Sequence, residues 1–205
     1  MSGIEAPPFA FVAGSTCLDF ANTATRDEEA IVGESLARFE DLISWGVSAH
    51  ILTPVDAERT RAAARERSQD ACAALARAVA LREEVFRTFA ALAERRPVAP
   101  QGVAALDRAQ RDAFAHRALV ADGHCFRWEW DGGGTAFDGV LWRVAESAAE
   151  LLAGGRLERV RRCAGEECTR LFLDTSRGGG RRWCEMRHCG NVAKVRRFRT
   201  RHGDR

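Results

Sequence analysis

Apolar residues recur at three- and four-residue intervals through most of the chain, and the interruptions mark where one helix gives way to the next. From residue 34 to about 50, Leu36, Phe39, Leu42, Ile43 and Val47 share one side of a helix. Thr53-Pro54-Val55-Asp56 joins a capping hydroxyl, a first-turn proline and an early acid, which predicts a helix start, with the helix running to about residue 67. A longer helix is predicted over 68–95, with Cys72, Leu75, Val79, Phe86, Phe89 and Ala93 on one face, stopped by Pro97 and Pro100. Residues 101–116 predict another, through Val103, Leu106 and Phe114. Asp138 is expected to cap a last body helix carrying Val140, Leu141, Val144, Ala148, Leu151 and Leu152, closed by Gly154-Gly155.

Two stretches change period. Residues 9–25 read as two short strands around Gly14-Ser15, ending in a polar turn. In 124–130 aromatics alternate with polar residues, a strand with one face buried, and Asp131-Gly132-Gly133-Gly134 is the turn after it. The expected fold is α+β: a mainly helical N-terminal body with a small antiparallel sheet over 1–156, and a different kind of segment over 157–205. No internal repeat is visible.

Composition narrows the function. A chain of 205 residues, 46% hydrophobic and 29% charged, has globular proportions, which excludes wholesale disorder. No stretch approaches eighteen apolar residues, so no membrane partner is expected. Glu5, with no Lys or Arg before the short apolar run, does not look like the basic start of a secretory signal; the expected location is the cytoplasm. The formal net charge of +2 hides an asymmetry: residues 161–205 carry 13 Lys+Arg against 5 Asp+Glu, a net of +8, leaving the first 160 residues at −6. A basic tail on an acidic body is the pattern of a polyanion-binding surface.

The body offers little catalytic chemistry. His50, His116 and His124 are scattered without a Ser or Cys partner at a recognisable spacing, and no glycine-rich phosphate loop follows a strand. Cys17, Cys72 and Cys125 sit among apolar neighbours and read as small core residues, as do Trp128 and Trp130. One polar cluster stands out: Asp19, Asn22, Thr23 and Arg26 either line an effector pocket or end a strand and pair with an acid.

The tail carries the signal. Seven cysteines is an odd number, which argues against a disulfide framework. Cys163-x4-Cys168 and Cys184-x4-Cys189 are two short-spaced pairs, and a hairpin in the insert between them, with Leu171-Phe172-Leu173-Asp174 as a strand, would gather four thiolates around Zn2+. His188 competes with Cys189 for the fourth position. A redox dithiol would favour two-residue gaps, which are absent. The following helix, capped by Asn191, is expected to pack Val195, Phe198 and His202 on the hairpin. Arg181, Arg182, Asn191, Lys194, Arg196, Arg197, Arg199 and Arg201 are then the candidate nucleic-acid contacts.

The run from Arg161-Arg162-Cys163-Ala164-Gly165-Glu166-Glu167-Cys168 to Cys184-Glu185-Met186-Arg187-His188-Cys189-Gly190-Asn191 resembles the CGNR zinc finger, a bacterial C-terminal module named for the residues at its last cysteine. The body resembles the ABATE domain of stress-induced transcription regulators, through Leu18-Asp19-Phe20-Ala21-Asn22-Thr23, the helix around Leu42 and Trp45, and Ala78-Val79-Ala80-Leu81-Arg82-Glu83. The resemblance implies a treble-clef-like zinc hairpin and helix, zinc at Cys163, Cys168, Cys184 and Cys189, and transcription control through double-stranded DNA. This sequence departs from the motif in one place: Val192 stands where the motif has arginine, so any contact of that arginine is missing here or supplied by a neighbour such as Arg196.

The expected protein is a non-enzymatic, zinc-dependent DNA-binding regulator whose N-terminal domain senses a small-molecule effector or forms a homodimer. The alternatives are an RNA-binding or protein-interaction zinc module, and an enzyme with its site near Asp19, Asn22 and Arg26. Single-stranded RNA readers expose a series of stacking aromatics, and here only Phe172, Trp183 and Phe198 are available, all reading as structural.

Overall fold

The computed structural model describes residues 9–27, 30–130 and 136–202, with residues 201 and 202 in backbone only. Among the described residues there are seven α-helices and three two-stranded antiparallel sheets, and no helix is long and apolar enough to cross a membrane. The 132–134 turn lies outside the described residues.

The centre of the body is α1 (Thr16–Ala21), six residues long, packed between α4 (Ser68–Ala93) and α6 (Gly139–Ala153). This corrects the expectation of two strands over 9–25. Cys17, Leu18, Asp19, Phe20 and Ala21 are all buried, and a helix buried on every side has no polar face to betray its period. A strand does follow: β1 (Ala24–Asp27) pairs with β2 (Ala30–Glu34).

The remaining helices lie near their expected positions. α2 (Phe39–Ser48) places Trp45 edge-on against Phe20, with ring centroids 4.8 Å apart. In α3 (Pro54–Glu66) the Thr53 hydroxyl accepts from the Asp56 N–H at 3.1 Å, the expected cap. On α4 the buried stripe runs through Ala71, Ala74, Ala78, Leu81, Val85 and Phe89, rotated from the expected face, and Cys72 is exposed. The alanines let α4 approach its neighbours closely, so a face drawn through the largest apolar residues misses the contact line. On α5 (Pro100–Ala115) Leu106 and Ala113 are buried while Val103 and Phe114 are exposed. Asp138 occupies the position before α6 without capping it; its carboxylate instead pairs with Arg77 at 2.7 Å.

The aromatic strand exists as β4 (Cys125–Trp130), and β3 (Arg117–Asp122), which the hydrophobic pattern did not predict, pairs with it so that Leu119 faces Trp128. The ribbon reaches the body through Trp130, 6.2 Å from Trp142, and through Arg117, which pairs with Glu146 of α6. Phe126 is 72% exposed and Trp128 53%, and Cys125 is exposed, which corrects their placement in the core. A two-stranded ribbon has no second layer to bury its apolar face, whatever its alternation.

After a 3-10 turn (Leu157–Arg159), β5 (Val160–Arg162) and β6 (Leu171–Leu173) form the third sheet. Val160, Leu171, Phe172 and Leu173 are buried in the same core cluster as α1 and α4. The tail's hairpin thus shares its apolar interior with the body. The last described element is α7 (Asn191–His202).

Candidate metal centre and basic helix

β5 and β6 are joined by the turn that carries the first cysteine pair. The Cys163 N–H donates to the Arg170 carbonyl at 2.9 Å and the Cys168 N–H to the Gly165 carbonyl at 3.0 Å, folding residues 163–170 into a tight knuckle. A Cβ on Gly165 would lie 3.2 Å from the Cys168 Cβ and 3.6 Å from the Cys163 Sγ, so the knuckle has little room for a side chain there. The expected hairpin inside the insert is corrected by this arrangement: the partner of β6 is β5, and the first cysteine pair sits at the hairpin's own tip.

The second pair arrives through the 174–183 loop. Asp174, fully buried, organises it: its carboxylate accepts from the Ser176 N–H and hydroxyl and from the Arg181 N–H at 2.6–2.9 Å, and these bonds hold its pKa below the ordinary carboxylate value. The glycine-rich run after Ser176 signals this turn in the sequence, and the Asp-x-Ser spacing is the local signal for Asp174 as its organiser rather than the end of the strand. Cys184 follows the loop, and a π-helical turn (Met186–Gly190) presents Cys189.

The four sulfurs of Cys163, Cys168, Cys184 and Cys189 lie within 4.8 Å of one another. Cys168 and Cys184 are 3.7 Å apart, and Cys184 and Cys189 3.6 Å. A tetrahedron of sulfurs about 2.3 Å from a zinc ion has edges of about 3.8 Å, so the cluster fits Zn2+. Cys163, Cys184 and Cys189 are buried, and Cys168 is partly exposed. The Cys184 N–H points at the Cys163 Sγ at 3.3 Å, a bond that favours the thiolate. Hydrogen bonds from Cys168 and Cys184 pull the Cys163 pKa down, and the same crowding, led by the bond to Cys163, pushes Cys184 up. Burial pushes Cys189 up to about 12. Four thiols this close cannot all ionise alone, and a divalent cation is what lets them. His188 is exposed and lies outside the cluster.

The family model for ABATE, described as "Putative stress-induced transcription regulator", matches residues 14–155. The chain belongs to the ABATE family. The CGNR zinc finger model matches residues 159–202, directly after it. The protein therefore binds zinc through a CGNR finger at the end of an ABATE body. No curated protein matches the chain.

In this ABATE chain the polar cluster of the body meets the finger. The Asn22 amide donates to the Leu171 carbonyl, and its oxygen accepts from the Leu171 N–H, both at 2.9 Å. Asp19 accepts from the Ala13 N–H at 2.8 Å, and the Ala13 carbonyl in turn accepts from the Leu173 N–H at 2.7 Å. Burial raises the Asp19 carboxyl to about 6. Arg26 is buried over the Phe86 ring, pairs with Glu83 at 2.8 Å and donates to the Ala21 and Ala24 carbonyls. All three spend their polar atoms on the protein itself, two of them in holding β6.

The basic candidates divide. Arg181 turns inward: it lies over Phe172 and donates to the carbonyls of Val12, Trp183 and Cys184. Arg182 is exposed beside Trp183. Asn191 does not cap α7 with its side chain; its amide donates back to the Arg187 carbonyl at 2.9 Å from inside a continuous turn. Arg196 pairs with Glu166 of the knuckle. Lys194, Arg197 and Arg199 are exposed and, among the described residues, enter no ion pair. Arg201 lies in α7, its side chain outside the described residues. Val195 and Phe198 are 50% and 63% exposed, which corrects the expectation that this face is buried on the hairpin: α7 touches mainly the turn that precedes it.

Proposed function

We propose that the chain is a DNA-binding regulator in which zinc at Cys163, Cys168, Cys184 and Cys189 fixes the root of α7, and α7 carries the contacts to duplex DNA. The observation that supports this most strongly is the set of exposed cations on α7, Lys194, Arg197 and Arg199, which among the described residues enter no ion pair. Cations left unpaired by the protein are available to phosphate oxygens, and their rigid spacing sets the register. Arg182 adds charge near the root, while the charge of Arg196 is met by Glu166. Arg181 is left out of the contact set, because its guanidinium holds the finger to the body.

In this reading the body positions the finger rather than catalysing a reaction. Asp19 and Asn22 bond the segments that dock β6, so a ligand that shifted α1 would shift the finger with it; this is the route by which an effector would act. Competition between duplex DNA and single-stranded RNA of the same sequence tests the reading. Preference for the duplex supports it, and preference for the single strand would move the finger to the RNA-binding class.

A further inference from the structure

We propose that the chain forms a two-fold dimer through the open edge of β4, with Trp128 of one copy paired to Trp128 of the other. Among the described residues the β3–β4 ribbon has no third strand, and no helix lies along β4. Gly123, at φ +60°, and His124 form a two-residue turn, so Asp122 and Cys125 close the ladder as a hydrogen-bonded pair. Bonded and non-bonded pairs alternate from there. The main-chain N–H and C=O groups of Phe126, Trp128 and Trp130 therefore point away from β3, to the open edge. β4 has no Lys, no Pro and no bulge, three devices that keep an edge from pairing. The same three residues put their side chains on the apolar face, with Leu119 and Ala121 opposite. Trp130 is held against Trp142, but Leu119 is 58% exposed, Phe126 72% and Trp128 53%. A lone hairpin is marginal in water, whereas more strands sharing an apolar face are stable. A second copy supplies two.

Charge selects both the occupant and the register. On its other face β4 carries Arg127 and Glu129. Antiparallel pairing must bring the outward-pointing main-chain groups together, which leaves three central registers: those that set Arg127, Trp128 or Glu129 opposite itself. The first and last put like charges face to face, which is destabilising. The middle one sets Arg127 of each copy opposite Glu129 of the other, in a non-hydrogen-bonded pair, where side chains are closest. Within one chain Arg127 already pairs with Glu129 and Asp122, so in the dimer each Arg127 lies among acids and each Glu129 between arginines. The register also brings Phe126 of each copy beside Trp130 of the other. A second copy matches this order by symmetry. The β3 edge offers no equivalent: its only opposite charges, Arg117 and Asp122, are an odd number of residues apart and never face each other in an allowed register.

Sedimentation velocity of the full zinc-loaded chain over a concentration series tests this. No DNA is present, so its failure is separate from failure of the DNA-binding reading. The wild type should show a monomer–dimer equilibrium. Arg127→Glu and Glu129→Arg should each raise the dissociation constant about tenfold, because either change turns two attractive cross-strand pairs repulsive. Mixing the two variants in equal amounts should restore association to the wild-type level, since each then meets opposite charges on the other copy. A folding defect, or an interface elsewhere on the molecule, would not be repaired by mixing. A wild type that stays monomeric throughout the series would overturn the proposal. Undiminished association in both single variants would overturn it in favour of another face, and weakened association that mixing fails to restore would overturn the pairing of Arg127 with Glu129.

Discussion

The Asn22 side chain and the Leu171 main chain satisfy each other completely: the amide donates to the Leu171 carbonyl and accepts from its N–H, both at 2.9 Å. A side-chain amide has the donor–acceptor spacing of a peptide group, so Asn22 takes the place of a neighbouring strand at the edge of β6. One residue of the ABATE body thereby fixes the depth at which the CGNR hairpin enters the common core.

Asn22→Ala should leave both Leu171 groups without partners, at a cost of about 2 kcal/mol and a fall in Tm of roughly 4–8 °C. Thermal unfolding of the two proteins, with and without a panel of small molecules, checks this. The loss is expected to be the same in every condition; a loss that appears only with an added ligand would make Asn22 a ligand-binding residue instead.

Metal removal should be felt across the whole chain. Cys163→Ser and Cys184→Ser should each bring bound zinc well below one ion per chain. Because Leu171, Phe172 and Leu173 are buried with α1 and α4, both should also lower the melting temperature of the body. Metal analysis beside a melting curve gives the answer, and an unchanged body transition in a zinc-free variant would show that the finger's core is separate.

Asp19 predicts a pH signature. Its carboxyl is raised by burial to about 6, against about 3.9 in an unfolded chain. Between those values the folded chain holds a proton that the unfolded chain releases, so this group's contribution to stability falls as pH rises from about 4 to about 6 and is level above that. A difference of that size between the folded and unfolded carboxyl corresponds to about 3 kcal/mol. Glu34, Glu94 and Asp174, whose pKa values are lowered, work in the opposite direction, so the difference between wild type and Asp19→Asn isolates the effect. That difference should change across pH 4–6; a constant difference would mean that Asp19 keeps an ordinary pKa.

Val192→Arg should leave the melting temperature nearly unchanged, within about 0.5 kcal/mol, because the Val192 side chain is half exposed and leaves room for a longer one to turn to solvent. A larger destabilisation would place the valine in the finger's packing.

What could be read in the sequence followed from local rules. The four cysteines, the Thr53 cap and the extents of α3, α4 and α5 depend on residues a few positions apart, and all are where spacing and capping chemistry put them. What failed depended on distant packing. α1 was hidden because burial on all sides erases its periodicity. The exposure of Trp128 and Val195 could not be seen, because strand or helix alternation says which residues share a face and not whether anything covers it. The polar cluster is visible in the sequence, but that Asn22 bonds a residue 149 positions away is a property of the tertiary fold.

The central claim, that α7 anchored on its zinc module binds DNA through its exposed cations, is tested most directly by the salt dependence of duplex binding. Fluorescence anisotropy of the zinc-loaded chain at several salt concentrations should give a log–log slope set by the number of phosphates contacted. Lys194→Ala and Arg199→Ala should each lower the magnitude of that slope by roughly 0.9 without changing the melting temperature. Binding with the wild-type slope in both variants, or no salt-dependent binding to any duplex, would contradict the account.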